Sequence, residues 1–155
     1  MEIDITDQQK KLPLRISSIQ TIVETILRHL KIRKADLSFA FVSSQKIRAL
    51  NIKYLNRAHT TDVLAFDLSS GEDGAGILSG EIIISTDAVV QNARRFGATP
   101  ASELALYIIH GILHLTGYDD HTAADRERMR AKEQEVLRAL GERPAAALRK
   151  SSKSS

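Results

Sequence analysis

No cysteine occurs among the 155 residues, so a disulfide framework, a thiolate-bound zinc ribbon, a thiolate-bound iron–sulfur cluster and a thiol nucleophile are all excluded. A metal in this chain must be held by His, Asp or Glu. No apolar run approaches the roughly 18 residues that crossing a bilayer requires, so no membrane span is expected. The amino end, Met1 to Gln9, is acidic and polar without the apolar segment of a secretory signal, and a cytoplasmic location is the expectation. Surplus charge is scarce too, once its position is considered. The formal net charge is +3, but Arg143, Arg149, Lys150 and Lys153 lie in the last 13 residues, which hold no acid; without those four, 18 basic face 19 acidic residues. A near-neutral body gives little support to a nucleic-acid reading from charge alone. With 43% apolar residues, the expectation is one globular domain over residues 1–141 and a basic, disordered, solubilising tail over 142–155.

What is present reads as alternating short elements. Ile16, Ile19, Val23, Ile26 and Leu30 recur at three- and four-residue steps, the stripe of a helix reaching about Arg33. Leu37, Phe39 and Phe41 alternate as in a half-buried strand. Ser43 or Ser44 can cap a second helix with Ile47, Leu50 and Tyr54 inward. Val63–Phe66 and Ile82–Ile84 read as strands around a Gly-rich loop over 69–77. Thr86 or Asp87 opens a third helix that closes at Gly97, and Thr99-Pro100 fits the start of a fourth. From Leu104 to Leu115 that fourth helix is apolar nearly all round, which places it centrally. Gly117 ends it, and a charged fifth helix follows over about 123–140, with Met129, Val136 and Leu137 inward. The order β, α, β, α, β, β, α, α, α points to an α+β domain: a small mixed sheet packed by helices around a buried, metal-binding central helix.

His110 and His114 carry the chemistry. Four residues apart on a helix, both imidazoles leave one face about a turn apart, which suits two nitrogens binding one cation. Gly117 then permits a sharp turn into Tyr118-Asp119-Asp120-His121, so the chain can fold back with a third ligand. Three protein ligands and one open position form the pattern of a catalytic zinc site. The residue after His110 is Gly111, where an H-E-x-x-H peptidase places its general base. That absence ranks proteolysis below phosphodiester cleavage, in which a metal can itself stabilise charge on phosphoryl oxygens.

The string His110-Gly-Ile-Leu-His-Leu-Thr-Gly-Tyr-Asp119 resembles the signature of the YbeY family, bacterial single-zinc endoribonucleases also called rRNA maturation factors. Asn51-x2-Tyr54, Thr61-Asp-Val-Leu-Ala-Phe66, Gly80-Glu-Ile-Ile-Ile-Ser85 and Glu103-Leu104 occur in the family's order. The resemblance implies one Zn2+ per chain, single-stranded ribosomal RNA and the small ribosomal subunit as partners, possible contacts with ribosome-assembly proteins, and roles in 16S rRNA 3′-end maturation and ribosome quality control. It implies His110 and His114 as ligands, with His114 also counted in the catalytic set. Two departures stand out. The family's third histidine falls six residues after the second, which here is Asp120, with His121 one later; an ungapped match makes Asp120 the ligand, and a one-residue bulge makes it His121. The arginine that usually follows the Tyr of Asn-x2-Tyr is Leu55 here, and Arg57 is the nearest replacement for a catalytic, substrate-binding guanidinium. Lys53, Arg94 and Arg95 are further candidates for phosphate contact, and Thr61-Asp62 reads as turn chemistry. A ribosome-associated RNA-binding or assembly factor with a structural metal is the alternative function, and a metallopeptidase ranks third.

Overall fold

A computed structural model describes residues 1–55, 62–69 and 76–149. Strands β1 (Glu2–Asp7), β2 (Lys34–Val42), β3 (Val63–Asp67) and β4 (Ile77–Ser85) alternate with helices α1 (Ile16–His29), α2 (Ser44–Leu55), α3 (Thr86–Phe96), α4 (Pro100–Leu115) and α5 (Ala123–Leu140). The strands form one mixed sheet in the order β1-β2-β4-β3. β1 and β4 run parallel to β2, with Phe39 opposite Ile82, while β3 pairs antiparallel with β4 along one edge, Val63 opposite Ile84. The architecture is the expected α+β domain.

Helix α2 covers one face of the sheet over a small cluster of Val42, Ile47, Leu64 and Ile83. The other face carries the main core, where α1, α3, α4 and α5 bring Ile19, Ile26, Val89, Ile108, Ile112 and Val136 against Phe39, Ile82 and Ile84. Eleven of the sixteen residues of α4 are buried, as its all-round apolar sequence requires. Two glycines let it lie close on β4. A Cβ at Gly111 would stand 2.6 Å from Ile82 Cγ2, and one at Gly80 would stand 2.6 Å from Leu115 Cδ1. Position 111 therefore faces the sheet.

The starts of the helices follow the sequence. Ser43 Oγ accepts from Lys46 N, Ser85 Oγ from Ala88 N and Thr99 Oγ1 from Ser102 N, each satisfying a donor with no partner inside its helix. Three expectations are corrected. Helix α1 stops at His29, four residues before Arg33, because Lys31 takes φ 61° and turns the chain into β2. Tyr54 overhangs the edge of α2, 59% exposed and edge-on to Phe66, rather than pointing inward. The basic end is not a tail from residue 142: Arg143–Ala147 forms a 3-10 helix with Pro144 and Ala147 buried, Leu148 bridges to Leu14, and Arg149 N donates to Pro13 O. Its apolar residues pack on the core, which the count of charges overlooks. Residues 150–155 lie outside the described residues.

Candidate metal centre and groove

Helix α4 presents Glu103, Tyr107, His110 and His114 at steps of four, three and four, so they share one stripe. That stripe is one wall of an open groove of about 980 Å³. The edge strand β3, the end of α3 with Asn92 and Phe96, and α5 with Arg130, Glu133 and Gln134 complete it. Its depth follows from the close seating of α4, since no side chain at 111 or 80 holds the helix off the sheet.

At one end, His114 Nε2 lies 3.0 Å from His110 Nε2 and 3.7 Å from Asp120 Oδ2, and the three residues group as possible metal ligands. A tetrahedral ion about 2.0–2.1 Å from its ligands holds ligand atoms about 3.3 Å apart, a separation that the two measured distances bracket. The donor set fits. His110 Nδ1 contacts Glu133 Oε2 at 2.5 Å; a carboxylate only accepts, so the ring proton sits on Nδ1 and the Nε2 lone pair faces the centre. The side chain of Glu133 is only 12% exposed. Burial and the neighbouring His110 ring push the His114 pKa below its usual value, against the pull of Asp120, Asp119 and a hydrogen bond with the Tyr118 backbone. Its imidazole is thus neutral, the form that binds metal.

Asp120 arrives on the turn between α4 and α5. Gly117 takes φ 105°, a conformation that glycine adopts without strain. Asp119 Oδ1 then accepts from the backbone N–H groups of Asp120 and His121, and Thr122 and Asp125 close a capping box on α5. The guanidinium of Arg126 reaches the carbonyls of Asp120 and His121 at 3.4 and 3.3 Å. His121, 80% exposed, pairs with Asp119 at 3.4 Å and belongs with Asp119 and Asp120 in a second group of possible ligands, all three on the surface.

Further along the groove, Tyr107 Oη donates to Asp62 Oδ2 at 3.3 Å, and Asn92 Nδ2 donates to the same oxygen and to Tyr107 Oη. Burial first, then the charges of Asp62 and Glu133, raise the pKa of Glu103. Burial likewise raises that of Tyr107, which stays protonated as a donor. Asp62 is thus an anchored acceptor in the groove rather than turn chemistry alone.

Of the residues singled out by sequence, the structure brings His110, His114 and Asp120 together and sets His121 beside them on the groove rim. Lys53 is exposed with its ammonium 5.2 Å from the centre of the Tyr54 ring, and it is not among the groove residues. Arg57, Thr61 and His59 lie outside the described residues. His29 binds Glu135 at 2.7 Å, away from the centre. Glu133 and Asn92 escaped the sequence reading, and Glu103 entered it only as part of the family resemblance, without a role in the site. The stripe 103-107-110-114 was visible in the spacing of α4; Glu133 follows Asp120 by 13 residues on another helix and carries no local signal.

A family profile described as Endoribonuclease YbeY matches residues 4–141. The Endoribonuclease YbeY of Syntrophus aciditrophicus is 36% identical over 141 residues, 88% of each chain. That of Listeria monocytogenes is 35% identical over 156 residues, covering 91% of this chain and 96% of the relative. The solution structure of TM1509 from Thermotoga maritima superposes with a TM-score of 0.65 at 27% identity, over 99% of both chains.

Proposed function

The chain belongs to the YbeY endoribonuclease family, and from that premise we propose that it cleaves single-stranded ribosomal RNA using one zinc ion held by His110, His114 and Asp120. The cellular setting of this proposal is 16S rRNA 3′-end maturation and ribosome quality control at the small subunit, in the cytoplasm. Among the described residues, no helix is long and apolar enough to cross a membrane.

The convergence of two Nε2 atoms and one carboxylate oxygen on one point, at the end of an open groove, carries the reading. Zinc bound there supplies Lewis acidity at neutral pH, directed at phosphoryl oxygens and an attacking water. The chain's own residues do the positioning. Glu133 fixes the tautomer and rotation of His110, burial keeps His114 neutral, and the Asp119 turn aims the Asp120 carboxylate. Asp120 satisfies the ungapped register, and with His121 turned to Asp119 three ligands leave a coordination position free. Arg57 remains the proposed phosphate-binding guanidinium, with no matching role for Lys53 in the groove.

An open ligand set favours catalysis over the alternative of an assembly factor with a structural metal. Gly111, packed on Ile82, leaves no place for the carboxylate base of a peptidase. The test is cleavage of a single-stranded RNA from the 3′ end of 16S rRNA by metal-loaded protein, with the same sequence in a duplex and casein as comparisons. Cleavage of the single strand alone, lost in His110→Ala, is expected. A protein that retains its metal yet leaves the RNA whole supports the structural-metal reading instead.

A further inference from the structure

Phe96 is the most exposed of the large apolar side chains of the described residues, at 68%. It is not a stray surface residue. It continues the inner stripe of α3 from Val89 and Ala93, both buried, by steps of four and three, and the stripe runs past the core's edge so that its last member borders the groove. Gly97 at φ 67° ends the helix there and holds Phe96 in place with a hydrogen bond back to Ala93. The Arg95 guanidinium sits 5.5 Å from the centre of the Phe96 ring.

The charge of the groove says what that ring can receive. Among the described residues, Asp62, Asp67, Glu103, Asp120 and Glu133 line it, with Arg130 as the one arginine. Against these carboxylates a phosphate gains less than an uncharged group does. The face of an unpaired base carries no charge and meets no such penalty. Aromatic rings with an adjacent guanidinium are the usual platforms for unpaired bases, and each stacked base contributes substantially to binding whatever its identity. A base in a duplex is already stacked and cannot reach such a ring.

We propose that Phe96, with Arg95, is a stacking platform for an unpaired RNA base at the end of the groove remote from the metal centre, and so a determinant of single-strand preference. Residues 97–99 join Phe96 to the start of α4 at Pro100, the end opposite His114, and from Glu103 to His114 the rise of α4 is about 16 Å, so the base held at Phe96 lies along the strand from the scissile bond, not at it. This inference rests on the nuclease reading above.

The test uses the full chain loaded with zinc, a ten-nucleotide single-stranded RNA for cleavage, its 2′-O-methylated copy for equilibrium binding, and a binding copy that lacks one base at each position in turn. Phe96→Ala should weaken binding at least about fivefold and raise KM with kcat and zinc content little changed. Phe96→Trp should restore binding, and Phe96→Leu should not. Arg95→Gln should flatten the dependence of log affinity on log salt by about 0.7, the loss of one phosphate-range cation from a single strand, whereas Phe96→Ala leaves that slope alone. One abasic position should reproduce the Phe96→Ala defect in the wild type and add nothing to it in the variant. Wild-type binding by Phe96→Ala, or full rescue by leucine, overturns the platform, the second result marking an apolar contact that needs no ring. If the wild type neither binds nor cleaves any single strand, the nuclease reading fails first and the platform goes with it.

Discussion

The proposed metal centre is built from two unlike halves. His110 and His114, each 28% exposed, stand on a helix pressed into the core, whereas Asp120 and His121, 44% and 80% exposed, ride on the seven-residue turn 116–122. The helical half is fixed by apolar burial, and moving either histidine means moving α4. Tyr118 packs one side of the turn on the core, but the part that carries the carboxylate and His121 is held by polar contacts: the Asp119 carboxylate, the Thr122 cap and Arg126. Both alternatives for the third ligand, Asp120 and His121, lie in that turn, where a change of side chain leaves the helical half in place.

This contrast is testable by breaking each half. His114→Ala should cost more than the roughly 10–100-fold in metal affinity that loss of an outer partner costs, abolish RNA cleavage and leave the helical circular dichroism largely intact; unfolding of the metal-free variant would make the ion structural. Asp120→Ala should follow closely, with zinc lost on dialysis, while His121→Ala keeps its zinc. Equal loss from both would mean a closed site of four ligands.

A smaller effect probes the link between the helices. Glu133→Gln keeps the shape but weakens the acceptor for His110 Nδ1, and metal affinity measured by competition with a chelator should fall about tenfold. Glu103→Gln addresses the cost of the groove itself. Because the carboxyl of Glu103 titrates above its unfolded value, its ionised form destabilises the fold. The variant should melt roughly 1–4 °C higher at pH 8, and the gap should close as pH falls toward about 4.5. The smallest effect belongs to His114 in the metal-free protein. Its folded pKa is lowered, so stability should decline as pH drops below about 6.5, where the unfolded chain takes a proton that the folded one refuses; His114→Ala should remove that portion of the decline.

The helical half was also the legible half. Periodicity located α4 and its two histidines because burial and ligand spacing both follow the helical repeat. The turn was not legible: spacing left Asp120 and His121 as alternatives, and only the hydrogen bonds of Asp119 separate them in space. Glu133 was invisible because its partner is distant in sequence. The length of β4 was missed because Leu78-Ser79-Gly80 has weak strand propensity, and pairing with β2 imposes the conformation. The close of the chain was misread because charge was counted where Pro144, Ala147 and Leu148 do the packing.

The seating of α4 on β4 has zero clearance. With Gly111 against Ile82 and Gly80 beneath Leu115, one methyl group at either position acts as a shim. A shim at 111 lifts the helix one turn from its end, where His110 sits, and one at 80 lifts the end itself, next to His114. Either would shift the two ligands relative to the turn that supplies Asp120. In tolerance terms, the spacing of the metal ligands is set two layers below them, by the thickness of a hydrogen atom on each glycine.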